Sequence, residues 1–179
     1  LDNFNPQGLS NMAWAFATAG HESLELFNAI SAVAVRRRLD NFNPQDLSNM
    51  AWAFAAAGHA SPELFNTISA ETVRRRLHDF NPQGLSNMAW AFATAGHVSL
   101  ELFKAISAEA GRRRLDNFNP QGLSNMAWAF ATAGQPSPEL FEAISAEVVR
   151  RRLDNFNPQD LSNMAWAFAT AGQPSPELF

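Results

Sequence analysis

The sequence predicts an all-α protein, a right-handed α-solenoid of stacked antiparallel helix pairs. Three observations carry that prediction. The chain matches itself at a shift of 38 residues: Pro6, Pro44, Pro82, Pro120 and Pro158 are evenly spaced, and so are Trp14, Trp52, Trp90, Trp128 and Trp166. A period between roughly 20 and 50 residues marks a solenoid, in which each unit buries its apolar faces on its neighbours. Each period also holds two helix-start signals separated by a glycine turn. The second segment is apolar on two sides, as a helix sandwiched in a stack must be.

The units run 1–38, 39–76, 77–114 and 115–152, followed by a partial unit 153–179. Units 1 and 4 differ at only six positions. The whole chain, 1–179, reads as one repeat array. It begins without Met and stops inside a unit, so it reads as a piece of a longer array in which no targeting segment can be judged.

Unit 2 shows how each element arises. Asn43 before Pro44 is an N-cap followed by proline at the first helical position. Phe42 and Leu47 form a hydrophobic staple across that cap. An Ala-rich helix then runs from Pro44 to Ala57. Gly58 ends it in a left-handed cap. Ser61 caps a second helix, with Pro62 at its first position and Glu63 at its positive end. This helix is expected to reach about Leu77. The short link between Gly58 and Ser61 folds the two helices into an antiparallel hairpin.

The faces follow from the 100° step of a helix. In the first helix Leu9, Met12, Ala13 and Phe16 form the buried side, with Gln7, Asn11 and Thr18 opposite. In the second, Leu26, Phe27, Ile30 and Ala34 make one apolar stripe, and Val35, Leu39 and Phe42 the other. Gly111 replaces the stripe valine in unit 3, where it predicts a local packing defect.

Composition excludes several function classes. Hydrophobic residues make up 46% and charged residues 17%, which suits a packed chain rather than a disordered one. There is no Cys, so disulfides, thiolate metal sites and thiol catalysis are excluded. No apolar run reaches the roughly 18–20 residues of a membrane helix, so no membrane partner is expected. The formal net charge of −4 argues against a general nucleic-acid coat. His21, His59 and His97 recur once per unit in the turn, too sparsely for a metal site. Neither a phosphate-cradling glycine loop nor a supported Ser/His/Asp set occurs. The chain therefore reads as a non-enzyme with no cofactor and no metal.

The segment from Phe42 through Asn-Pro-Gln-Asp-Leu-Ser-Asn-Met-Ala-Trp-Ala-Phe-Ala, then a Gly turn and a second helix ending Arg-Arg-Arg-Leu, recurs every 38 residues. In that pattern the chain resembles the octotricopeptide repeat family. The resemblance implies a superhelix that binds single-stranded RNA and acts on organellar transcripts, through their stability, processing or translation, in a chloroplast or mitochondrion.

Two sets of residues are candidates for contact with RNA. The first is the Arg blocks, candidates for phosphate: Arg36, Arg37 and Arg38; Arg74, Arg75 and Arg76; Arg112, Arg113 and Arg114; Arg150, Arg151 and Arg152. Guanidinium forks match phosphate oxygens. The same blocks suit the negative end of a helix, and Glu71, Glu109 and Glu147 stand at ion-pair spacing before them. The second set would face bases: Gln7, Gly8 and Asn11; Gln45, Asp46 and Asn49; Gln83, Gly84 and Asn87; Gln121, Gly122 and Asn125; Gln159, Asp160 and Asn163. Ser10 and Thr18 belong to the same polar row. Amides both donate and accept, as base edges require, and they equally suit bonds to neighbouring backbone. Asp46 and Asp160 also fit the positive end of their helices. The Trp ladder is expected to fill the gaps between units; exposed, it would be a stacking platform. A second reading is a scaffold that binds a protein or peptide ligand in its concave groove.

Overall fold

The computed structural model describes residues 1–21 and 23–178; Phe179, the end of the partial unit, falls outside them. The described residues form nine α-helices in a single series. The first helix of each unit is α1 (Pro6–Thr18), α3 (Pro44–Ala56), α5 (Pro82–Thr94), α7 (Pro120–Thr132) and α9 (Pro158–Thr170). The second is α2 (Leu24–Arg36), α4 (Pro62–Arg74), α6 (Leu100–Arg112) and α8 (Pro138–Arg151). The protein is an all-α solenoid with two layers of helices.

Local chemistry sets these boundaries. The Asn43 side chain accepts from the Asp46 amide at 2.8 Å, and the Asp46 carboxylate accepts from the Asn43 amide at 3.1 Å, a closed capping box. At the other end Gly58 takes φ +68°, and the His59 amide reaches the Phe54 carbonyl at 2.9 Å. That wrap-around bond satisfies a carbonyl the helix end leaves free, and a β-carbon would disfavour the left-handed backbone it needs.

The two layers pack differently. First helices lie against one another along much of their length, while second helices touch their neighbours only locally. Ala13, Ala51, Ala89 and Ala127 are fully buried in the first layer, where small side chains let the backbones approach. Closer spacing in one layer than in the other bends the stack toward the first-helix side.

Between the layers the core is a series of aromatic joints. Phe27 meets Phe54 edge-on at 4.9 Å, and Phe65–Phe92, Phe103–Phe130 and Phe141–Phe168 repeat the contact at 4.9–5.0 Å. Each joins a second helix to the first helix of the next unit, and such pairs are worth about 0.5–1.5 kcal/mol beyond their burial. A serine ladder runs beside them. Ser69, Ser107 and Ser145 lie 2.6–2.7 Å from the capping Ser99, Ser137 and Ser175 of the next unit.

The second helices stop short of the expected Leu77. Helix α4 ends at Arg74, Arg75 is extended, and Leu77–Asp79 forms a separate 3-10 turn. The break turns both Leu77 and Phe80 into the core. The turn recurs after α6 at Leu115–Asn117 and after α8 at Leu153–Asn155, the latter entered through Arg152 at φ +69°. The link after α2 has no 3-10 turn and passes through positive φ at both Arg38 and Leu39. The second apolar stripe is also less covered than expected. Leu39 and Phe42 are buried, but Val35 and Val73 are only half-buried and Val149 is exposed. A β-carbon on Gly111 would meet nothing within 4 Å, so this glycine leaves no hole in the core.

Candidate nucleic-acid interface

Positions 7, 11, 14 and 18 of α1 lie within about 60° of one another at 100° per residue, on the solvent side of the first layer. Gln7, Asn11, Trp14 and Thr18 therefore form one longitudinal stripe, and the repeat copies it onto α3, α5, α7 and α9. Trp14 lies at one edge of this stripe, about 20° beyond Gln7, and midway along its length.

The tryptophans are not sealed between units. Trp14 and Trp166 are 46% and 47% exposed, and Trp52, Trp90 and Trp128 are half-buried. The first three rings follow one another in tilted pairs, with 6.3 Å between the centroids of Trp14 and Trp52 and 6.2 Å between those of Trp52 and Trp90, at interplanar angles of 36° and 30°. The result is a row of partly exposed indoles along the first layer.

The amides beside it are free. Gln45, Asn49, Gln83 and Asn87 make no side-chain hydrogen bond among the described residues, and the same holds for Gln7, Asn11, Gln121 and Asn125. In the last unit Gln159 donates to Asn163 at 3.0 Å. Gln83 also lines a cleft of about 250 Å3 between the starts of α5 and α7, together with Asn117 and Asn119.

The third member of each base-facing trio is elsewhere. Asp46 and Asp160 are buried, as are Gly84 and Gly122, and Gly8 is half-buried. This position is one step of 100° off the stripe and faces the neighbouring first helix. It is part of the packing and not of the exposed row. Burial pushes the Asp46 and Asp160 carboxyls above their ordinary range, partly offset by backbone hydrogen bonds from Asn43 and Asn157. Ser10 leaves the row too: it is buried, and its hydroxyl donates to the Asp46 carbonyl at 3.1 Å.

The three arginines of each block have three different fates. The middle one is structural. Arg113 donates to the carbonyls of Phe80 and Leu77 at 2.7 and 2.9 Å and to Glu109 at 2.6 Å. Arg151 does the same with Phe118, Leu115 and Glu147, and Arg75 with Phe42, Leu39 and Glu71. Arg37 donates to the Phe4 carbonyl at 2.6 Å. These four fix the end of each second helix to the link that enters the same unit, and are withdrawn from the phosphate set.

The first arginine is exposed but paired. Arg74, Arg112 and Arg150 bond Glu71, Glu109 and Glu147 while their side chains stay 62–71% exposed, and Arg36 pairs with Asp2. The Arg74 bond is the main cause that holds the Glu71 carboxyl below its ordinary range, and Arg150 does the same for Glu147. The third arginine is exposed, and Arg38, Arg76 and Arg114 have no ion pair among the described residues. Arg152 has only a long contact to Asp154 at 4.0 Å. The second helices end on the side of the array where the first helices begin, so these cations share an edge with the positive helix N-termini.

Sequence reasoning missed this sorting, because three consecutive arginines look alike. The one signal available was Glu four residues before the middle arginine and three before the first. Nothing among the described residues gathers three or more metal-ligating side chains.

No curated protein matches the chain. The family model described as RNA-editing substrate-binding complex 6 protein matches residues 1–179, and the chain belongs to that family.

Proposed function

We propose that the array binds single-stranded RNA along the exposed face of its first helices. The observation that carries the reading is the stripe itself: exposed and half-buried tryptophans, set in the first four units between amides with no hydrogen-bond partner among the described residues. Stacking on such a ring is worth about 1–3 kcal/mol per base, and neighbouring amides supply polar contacts to base edges. The unpaired arginines at the edge supply phosphate contacts. The family's name, an RNA-editing substrate-binding complex, supports an RNA-related role in which the chain holds transcripts rather than cutting them. The octotricopeptide-like unit supports the same reading and an organellar setting, of which the mitochondrion accords best with RNA editing. In this reading the chain contributes no catalytic step, no cofactor and no metal.

A scaffold that binds a protein partner is the second reading. It is favoured by the net charge of −4 and by the carboxylates that already occupy two arginines in each of units 2, 3 and 4.

The test is a titration of the chain with a fluorescent single-stranded RNA of about 12 nucleotides at low salt, following tryptophan quenching. Binding with quenching is expected from wild type, and Trp52→Ala/Trp90→Ala is expected to weaken it at least tenfold with the helical circular dichroism retained. Wild-type protein that fails to bind, or binding that the double variant leaves unchanged, overturns the reading.

A further inference from the structure

The solvent face of the first layer does not vary. Gln, Asn and Trp occupy the three leading stripe positions in every unit, and only the fourth changes once, to Ala56. Elsewhere the units do differ. The turn residue is His59 in unit 2 and Gln135 in unit 4, and a second-helix surface position is Asn66, Lys104 or Glu142. The array thus tolerates change on its second-helix side while its stripe is constant.

A solenoid that reads a mixed sequence has to change the side chains that meet successive bases. An array with one constant set has the same preference at every step, or none. Free amides argue for a preference. A grip on the phosphate chain needs only cations, whereas the Asn49 and Asn87 amides carry donors and acceptors that no protein group satisfies. Any bound base edge within their reach either matches that pattern or leaves it unpaired, and an unpaired polar group covered by ligand costs about 1–3 kcal/mol.

We propose that the ligand is a run of one repeated base in single-stranded RNA, each unit taking the same nucleotide. This rests on the RNA-binding reading above. It has a further consequence. In a run longer than the array every register is equivalent, so affinity rises with the length of the run through the number of equivalent placements. A mixed sequence offers no such gain.

The experiment measures wild-type binding to oligo(A), oligo(U) and oligo(C) of 12 nucleotides, to a mixed 12-mer of the same three bases, and to 24-mers of each. One homopolymer is expected to bind at least tenfold more tightly than the mixed 12-mer and to gain about twofold or more on lengthening. In Asn49→Ala/Asn87→Ala, which removes no protein hydrogen bond, the preference is expected to shrink to within about threefold while the melting temperature is nearly unchanged. Equal wild-type affinity for all the oligomers, or tightest binding of the mixed one, overturns the single-base reading and leaves RNA binding intact. A preference that survives the double variant overturns the role given to the amides. Failure to bind any of the oligomers at low salt overturns the RNA-binding reading itself.

Discussion

The Arg113 guanidinium donates to the Phe80 carbonyl at 2.7 Å, joining residues 33 apart in the chain. Its second nitrogen reaches the Leu77 carbonyl, and buried Glu109 holds it from below. In the link before α5 the Leu77 carbonyl already accepts from the Phe80 amide, so the guanidinium gives it a second donor and supplies the one that the Phe80 carbonyl otherwise lacks. Removing it strands the Phe80 carbonyl and leaves the buried Glu109 carboxylate with Arg112 alone. Arg113→Ala is expected to lower stability by about 2–3 kcal/mol, read as a shift in urea midpoint. Arg112→Ala, which removes an exposed guanidinium, is expected to leave the midpoint nearly unchanged. Equal losses from the two variants would contradict the division of labour within the block.

The carboxylates that hold these arginines predict a pH dependence of definite sign. Glu71 and Glu147 titrate below their ordinary value of 4.5, chiefly through hydrogen bonds from Arg74 and Arg150. Their contribution to stability is therefore complete above that value and is lost as pH falls through the lowered folded-state value. Asp46 behaves in the opposite way. Burial raises it above 3.8, so its charge costs stability near neutral pH, and the cost is relieved as pH falls through the raised value. Urea midpoints measured between about pH 3 and 7 check both. Glu71→Gln is expected to be most destabilised near neutrality and to converge on wild type in acid. Asp46→Asn should gain on wild type above the raised value and lose that gain below 3.8.

Much of the fold was legible because its signals are local. Asn43, Pro44, Gly58 and Ser61 each act on backbone within a few residues, so helix starts and turns follow from the sequence. The links were not legible. Whether the second helix continues to Leu77 depends on where Arg75 finds acceptors, and those lie 33 and 36 residues back, at Phe42 and Leu39. The stripe was half legible. Periodicity placed Gln7 and Asn11 on the open face, but the exposure of Trp14 depends on how closely neighbouring first helices pack, a tertiary quantity. Asp46 misled for a related reason: its place beside Gln45 suggests a surface role, yet one helical step turns it onto the preceding first helix.

That position carries a prediction of its own. Where the next unit has Asp, the preceding serine reaches forward: Ser10 to the Asp46 carbonyl, and Ser124 to the Asp160 carbonyl at 3.0 Å. Where the next unit has Gly, the serine turns back. Ser48 donates to the Pro44 carbonyl at 2.9 Å, and its oxygen lies 3.0 Å from where a β-carbon on Gly84 would stand. Gly84→Asp is therefore expected to rotate Ser48 forward and to complete the capping box with Asn81. A gain of about 0.5–1 kcal/mol near neutral pH is expected, since burial of the new carboxylate offsets part of the capping energy. A loss of stability would show that Ser48 cannot turn.

Gly111 now calls for a smaller effect than a core defect would give. It lies inside α6 with open space beyond its α-carbon. Filling that space restores no core contact, so only backbone propensity remains. Gly111→Ala is expected to stabilise by about 0.8–1 kcal/mol, and Gly111→Val by less, because a β-branched side chain is a poorer helix former. Thermal melts of the two variants against wild type give the order directly. A larger gain from Val than from Ala would mean that the position is packed.

The sorting of the arginines finally fixes which of them a salt series should detect. Contacts to single-stranded RNA contribute about −0.7 each to the slope of log affinity against log salt. The middle arginines are held by backbone carbonyls and the first ones by carboxylates, so each would have to break a bond before meeting phosphate. Arg38, Arg76 and Arg114 have no such bond, and Arg152 only a weak one. Four contacts from this third position give a slope near −2.8. Arg76→Gln/Arg114→Gln removes two of them and is expected to bring the slope to about −1.4, with the urea midpoint unchanged because no intramolecular bond is lost. Arg74→Gln/Arg112→Gln is the control. It removes the same amount of charge from the same edge, but from side chains already bonded to Glu71 and Glu109, so its slope should stay near that of wild type. If both pairs reduce the slope equally, the edge acts as a diffuse field of charge, and the third arginine has no special claim on the phosphate.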